Sequence, residues 1–502
     1  MNRKATGVPG LDVVLGGGLE PGSTVLLAGA PGTGKTTLAQ QICFANATVE
    51  HKAVYYTTLS EPHTKLVRHL EQFAFFESAS LGPRVEHIHL GDLLRNRPGA
   101  GLESLVSEVV RKTLDAQPSI VVIDSAKMLR DFIGQSGLRT ALYDLTSRIG
   151  HTQAVLLLLG EYTPDEMTSD VEFSLADGII QLSYQPREPI DRRWLRVIKL
   201  RGGSHCEGKH TFRIVSPSGF EVFPRIETLA PGTPAEVSGR ISSGVPRLDN
   251  LLGGGLPAGD ANLVLGPSGV GKTIFALGYV AQGLDGGEHC LYVTFQDTAD
   301  QLVTMARCFG WDLEAARASG QLTIAYVPMG GLDLDVVAAV VREELCARPV
   351  RRVVIDSLAE LAAAARETER FPAYKRSLNG LIRAGGASLV VTSETAALGP
   401  SADPLGGLMF LFNTVIQLRY IEHGSQLGRA INVVKMRNSQ HDMALHGFSI
   451  TEDGMTVGDQ LEGITGFLGW SALRTTGGSV KALRGGRIGS RRRGRRRLPR
   501  RG

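Results

Sequence analysis

The chain has 502 residues, 42% hydrophobic and 21% charged, which is enough for two or three domains with their own cores and excludes wholesale disorder. Its net charge of +4 hides an asymmetry: residues 463–502 hold twelve Lys and Arg and no acid, leaving 42 basic against 50 acidic residues, a balance of −8, for residues 1–462. The apolar run Ala154 to Leu159 is far too short for a membrane span, the start Met1-Asn2-Arg3-Lys4 leads into no signal-peptide core, and the five cysteines form no CxxC pair, so a cytoplasmic protein with neither a disulfide framework nor a zinc site is expected.

In chain order, the first element is a glycine-rich leader, GVPGLDVVLGGGL at residues 7–19, followed by an apolar run, Thr24 to Ala28, that reads as a buried strand. Gly29-Ala30-Pro31-Gly32-Thr33-Gly34-Lys35-Thr36, with Thr37 behind it, then matches GxxxxGK[ST] between a strand and a helix. Glycines let successive backbone N–H groups point at phosphates at the positive end of the following helix. Lys35 is expected to contact the β- and γ-phosphates of ATP, and the Thr36 hydroxyl to ligate Mg²⁺. Ala53 to Tyr56, Ile120 to Asp124 and Ala154 to Leu159 read as further buried strands. Asp124, at a strand's carboxyl end, is positioned either to hold Mg²⁺ or to cap the next helix. Trp194 to Leu200 reads as a late antiparallel strand or hairpin at a sheet edge.

After Ala230-Pro231-Gly232-Thr233-Pro234, which breaks both helix and strand, the pattern starts again. Residues 244–273 lie on residues 7–36 without a gap, with 17 of 30 positions identical. A period of this length indicates duplication of a whole domain. The second phosphate loop is Gly266-Pro267-Ser268-Gly269-Val270-Gly271-Lys272-Thr273; Asn262 to Leu265, Cys290 to Phe295, Val353 to Asp356 and Ser388 to Thr392 answer the first set of strands, and Ala430 to Met436 answers the late one. Asp356 repeats Asp124, with Thr273 as its Mg²⁺ partner. The expected organisation is an α/β protein of two tandem P-loop domains, residues 1–229 and 235–460, each a mostly parallel sheet flanked by helices, and a basic, disordered tail at 461–502. The tail suits nonspecific contact with nucleic acid or an acidic surface, or simple solvation.

With its paired GVPxLDxxLGGGL leaders, two phosphate loops, Ile-Asp-Ser strand ends and late Lys-x-Arg segments, residues 5–457 of the sequence resemble the KaiC family of RecA-like ATPases. The resemblance implies a two-tiered homo-hexamer, assembled with ATP, in which Lys199 and Arg201, and Lys435 and Arg437, reach a neighbour's nucleotide. A cation inserted in this way stabilises the transferring phosphoryl group. The family's paired glutamates after the second strand are replaced: domain two has Gln296 and Asp297, while domain one has Leu59 and Ser60, with Glu61 one position late. Glutamine orients water but cannot take its proton, so slow hydrolysis is expected, most of it in domain two.

The leading functional expectation is a ring ATPase whose nucleotide state controls an unknown signalling partner. The alternatives are a nucleotide-gated scaffold with weak catalysis and a RecA-like DNA-dependent ATPase; the acidic folded part speaks against the last. Family-type serine/threonine kinase activity is a separate matter, because Met409 and Phe410 stand where the oscillator's phosphorylated pair aligns, and neither carries a hydroxyl. Incubation with labelled ATP and phosphopeptide mapping should therefore yield no stoichiometric label within residues 400–415.

Overall fold

A run such as Thr24 to Ala28 cannot alternate an inner with an outer face, and the strand it forms is buried on both sides. In the computed structural model, described for residues 3–57, 63–90, 110–111, 113, 117–163, 166–186, 191–229, 232–233, 235–365, 369–395, 408–423, 426–437, 439–462 and 473–474, this strand is the centre of the first of two large sheets. The strands are β1 (Thr24–Gly29), β2 (Ala53–Thr57), β3 (Val85–His89), β4 (Ile120–Asp124), β5 (Val155–Gly160), β6 (Gly178–Gln185), β7 (Arg192–Leu200), β8 (His210–Val215) and β9 (Gly219–Phe223). Their order is β3-β2-β4-β5-β1-β6-β7-β8-β9, parallel from β3 to β6 and antiparallel from β6 to β9. Along β1, Val25 and Leu27 enter one core with Tyr55, Val122 and Leu157. Leu26 and Ala28 enter the other with Tyr56, Val121 and Leu158.

The second sheet repeats this plan. A two-stranded ribbon, β10 (Arg240–Ile241) and β11 (Leu256–Pro257), precedes β12 (Ala261–Gly266), β13 (His289–Thr294), β14 (Leu322–Tyr326), β15 (Val350–Asp356), β16 (Ser388–Glu394), β17 (Thr414–His423), β18 (Gln426–Met436), β19 (His446–Thr451) and β20 (Gly454–Gln460). The order β14-β13-β15-β16-β12-β17-β18-β19-β20 matches the first sheet strand for strand, and the short β21 (Leu473–Arg474) pairs with β17. The described residues group into two compact units. One comprises those within Met1–Thr233, Val327–Ala347 and Glu360–Ala384, the other those within Pro234–Tyr326, Arg348–Ala359 and Gly385–Gly502.

All eight apolar runs expected to be buried strands are strands of the parallel halves. The two late runs fall in β7 and β18 and are antiparallel, but they are not edge strands: β8 and β9, and β19 and β20, continue the sheets beyond them. The expected basic tail lies, apart from residues 461–462 and 473–474, outside the described residues. No helix among the described residues is long and apolar enough to cross a membrane.

Parallel order places the carboxyl ends of β1, β2, β4 and β5 along one margin of the sheet. Leu157, fully buried in the middle of β5, tests the packing that holds it. Leu157→Ala should destabilise the first unit by about 2–5 kcal/mol, read as a lower urea midpoint.

Candidate functional site

The phosphate loop follows β1 directly, and its shape depends on glycine. Gly32 and Gly34 have φ of 72° and 97°, and Gly269 and Gly271 have φ of 71° and 119°, a region that residues with a Cβ rarely adopt. Gly34 and Gly271 are the N-caps of the helices Lys35–Asn46 and Lys272–Asp285, so the N–H groups of the first helical turn and the positive helix end face the loop. Thr33 is buried and donates to the Ala30 carbonyl at 2.8 Å. Lys35 Nζ donates to the Gly29 and Ala30 carbonyls at 2.9 and 3.0 Å; Lys272 Nζ donates to the Pro267 carbonyl at 2.9 Å. Burial lowers the Lys35 pKa, while the charges of Glu161 and Asp124 oppose that shift.

Thr36 Oγ1 donates to Asp124 Oδ2 at 3.0 Å, and Thr273 Oγ1 donates to Asp356 Oδ2 at 2.9 Å. β5 separates β1 from β4, yet the loop carries the hydroxyl across that strand. Two adjacent ligands of an octahedral Mg²⁺ stand about 2.9 Å apart when each lies at about 2.0–2.1 Å, so this hydroxyl–carboxylate pair fits a magnesium site in both units. Bound there, Mg²⁺ would neutralise charge on the phosphates. A tyrosine completes each pair: Tyr55 OH and Tyr292 OH donate to the same Oδ2 atoms at 2.6 and 2.8 Å. In the second unit Thr392 Oγ1 also donates to Asp356 Oδ1.

An open cleft of about 720 Å³ surrounds the first loop and is lined by Gly32, Lys35, Thr36, Thr37, Asp124, Lys127, Glu161 and Arg193, among others. This volume is in the range of nucleotide-sized sites. Arg193 Nη1 donates to the Gly32 carbonyl at 3.0 Å. Beside the second loop, Tyr420 OH donates to the Ser268 carbonyl at 3.3 Å. Sequence reasoning passed over Tyr55, Tyr292, Glu161 and Arg193. The signal available for the first three was the repeat itself: Tyr55 and Tyr292 hold the same register against Asp124 and Asp356, and Glu161 follows β5 where Glu394 ends β16.

Of the expected catalytic acids, Glu61 lies outside the described residues. Gln296 is exposed at the end of β13. Asp297 follows it with its backbone carbonyl accepting from Thr294 Oγ1 at 2.9 Å; burial first, and then the charge of Asp356, raises its carboxyl pKa.

The cationic segments occupy the other end of the sheet. Lys199 stands opposite Ile179, which is level with Leu26, three residues or about 10 Å short of Gly29 along the strands. Its Nζ donates to the Phe173 and Ser174 carbonyls, both at 3.4 Å, and Arg201 pairs with Asp177 at 3.3 Å. In the second unit Lys435 Nζ donates to the Met409 and Phe412 carbonyls at 3.0 and 2.8 Å, and Arg437 to the Phe410 carbonyl at 2.9 Å. The structure therefore does not bring Lys199, Arg201, Lys435 or Arg437 to the phosphate loop of its own sheet.

Comparison with known proteins agrees with this architecture. The sequence model of the family described as "ATPase: KaiC" matches twice, over residues 4–227 and 241–462. The chain is 26% identical to the circadian clock protein KaiC3 of Synechocystis sp. (strain ATCC 27184 / PCC 6803 / Kazusa) over 510 aligned residues, covering 97% of each chain. It is also 26% identical to the circadian clock oscillator proteins KaiC of Parathermosynechococcus lividus, over 94% of this chain and 88% of the relative, and of Synechococcus elongatus (strain ATCC 33912 / PCC 7942 / FACHB-805), over 94% and 92%. With both phosphate loops and both strand-end aspartates inside the matched segments, this chain belongs to the KaiC ATPase family.

Proposed function

We propose that the protein is a ring ATPase, two domains per chain at residues 1–229 and 235–460, whose bound nucleotide controls its association with a partner. The observation that carries this reading is the duplicated Thr–Asp pair behind a glycine-shaped loop, at 3.0 Å in one unit and 2.9 Å in the other. Each domain binds one Mg-ATP through Gly29 to Thr37 or Gly266 to Thr273, with the metal on Thr36 and Asp124 or on Thr273 and Asp356.

The distance between each Lys-x-Arg segment and its own loop supports a role in trans. A cation held at the amino end of the central strands does not reach the nucleotide on its own sheet; in the arrangement taken from the family it reaches that of another copy, so ATP lies at a subunit boundary and adds to assembly by mass action. A homo-hexamer is the assembly this reading takes from the family. Turnover is slow, because Gln296 stands where an acid would activate water. That same residue favours, as a second reading, a scaffold in which ATP serves mainly to hold the ring together.

Three measurements test the proposal. Lys35→Ala and Lys272→Ala should each remove about half of the bound nucleotide, and the double variant nearly all; full occupancy in the double variant would end the reading. Light scattering should show a large ring with a non-hydrolysable ATP analogue and smaller species without it. Arg201→Ala with Arg437→Ala should weaken turnover while leaving nucleotide bound. A monomer both with and without the analogue would remove the role in trans.

A further inference from the structure

The end of β2 supplies the first domain with no acid at the family's two positions, where Leu59 and Ser60 stand. The end of β5 supplies one. Glu161 follows the last residue of β5, in the strand beside β1, and its Oε1 lies 3.7 Å from Lys35 Nζ. The side chain is half exposed and borders the same cleft as Thr36, Asp124 and Lys127. Since Lys35 belongs on the β- and γ-phosphates, a carboxylate within 4 Å of its ammonium borders the γ-phosphate end of the cleft.

The backbone that carries Glu161 is anchored from behind. Lys127 Nζ donates to the Glu161 carbonyl at 2.9 Å and to both oxygens of Glu166 at 2.7 and 2.9 Å. Glu166 also accepts from the Thr163 backbone N–H at 2.8 Å, and these contacts bring its pKa down to about 2. The arrangement fixes the segment that leaves β5 and leaves the Glu161 carboxylate facing the cleft. The second sheet places Glu394 in the same position, paired in register with Gly266 at the start of its loop. The residues around the two acids differ, Gly160 and Tyr162 against Ser393 and Thr395, while the carboxylate recurs.

From this geometry we infer that Glu161 is the catalytic base of the first ATP site. Water attacks the γ-phosphorus of ATP and one of its protons passes to the Glu161 carboxylate. The new P–O bond forms as the bond from γ-phosphorus to the bridging oxygen breaks, and that electron pair leaves on ADP. Glu161 then releases its proton to solvent, giving ADP, phosphate and one proton overall. The inference rests on the proposed hydrolysis at the first loop.

The test uses the full-length chain with the second loop silenced by Lys272→Ala. In that background, single-turnover hydrolysis of γ-labelled ATP and binding of a non-hydrolysable analogue are measured with and without Glu161→Gln. The expected result is a fall in kcat of at least about 100-fold with nucleotide affinity changed by less than about threefold. Glu161→Ala should show the same loss and recover part of its rate with added formate, which a structural role would not produce. A kcat within about twofold of the parent, or a variant that loses binding together with turnover, would overturn the assignment alone. A Lys272→Ala protein that binds nucleotide but does not hydrolyse it would overturn the assignment together with the hydrolysis reading.

Discussion

The contact on which the site depends is the one between a threonine hydroxyl and an aspartate carboxylate that are 88 residues apart in the first unit and 83 in the second. Neither residue could be placed without the parallel sheet. Only when β1 and β4 run in the same direction do the loop after one and the last residue of the other meet on a common margin. The glycines of the loop, the N-terminus of the helix and the tyrosine from β2 are all arranged around that meeting point.

The same constraint explains the composition of the strands. A margin that holds charge and phosphate needs a rigid support, and the support is a layer of leucine, valine and isoleucine packed on both faces. Tyr55 and Tyr292 show how the two requirements are joined. Their rings are buried in the sheet core, and their hydroxyls emerge at its end to hold the aspartates. Burial and the neighbouring carboxylate push both phenols well above their ordinary pKa, so they remain donors.

Much of this was legible in the sequence because it is local. The phosphate loops and the Ile-Asp-Ser strand ends are each a short motif beside an apolar run, and the Lys-x-Arg segments close strands that are antiparallel as expected but not at the sheet edge. What escaped were relations across the sheet. β3 and β14 carry half-buried residues rather than apolar runs, and β8, β9, β19 and β20 extend the sheets past strands that looked like edges. Glu161 gave no local signal at all, since a single acid after a leucine run is ordinary until the neighbouring strand is known to be β1. Glu61, one position late in its own segment, lies outside the described residues.

The location of the cation pairs gives the molecule a polarity. One end of each central sheet carries a phosphate loop and the other a lysine that caps the chain's own carbonyls and an arginine held by Asp177 in one sheet and by the Phe410 carbonyl in the other. Under the proposed role these two ends meet only between copies, through a head-to-tail contact in which the two surfaces differ. Each sheet then owns one half of two different sites. Damage to a loop is suffered by the chain that carries it, whereas damage to Arg201 is suffered next door. A ring mixed from the two kinds of defective chain would regain an intact site wherever a sound loop happened to face a sound arginine.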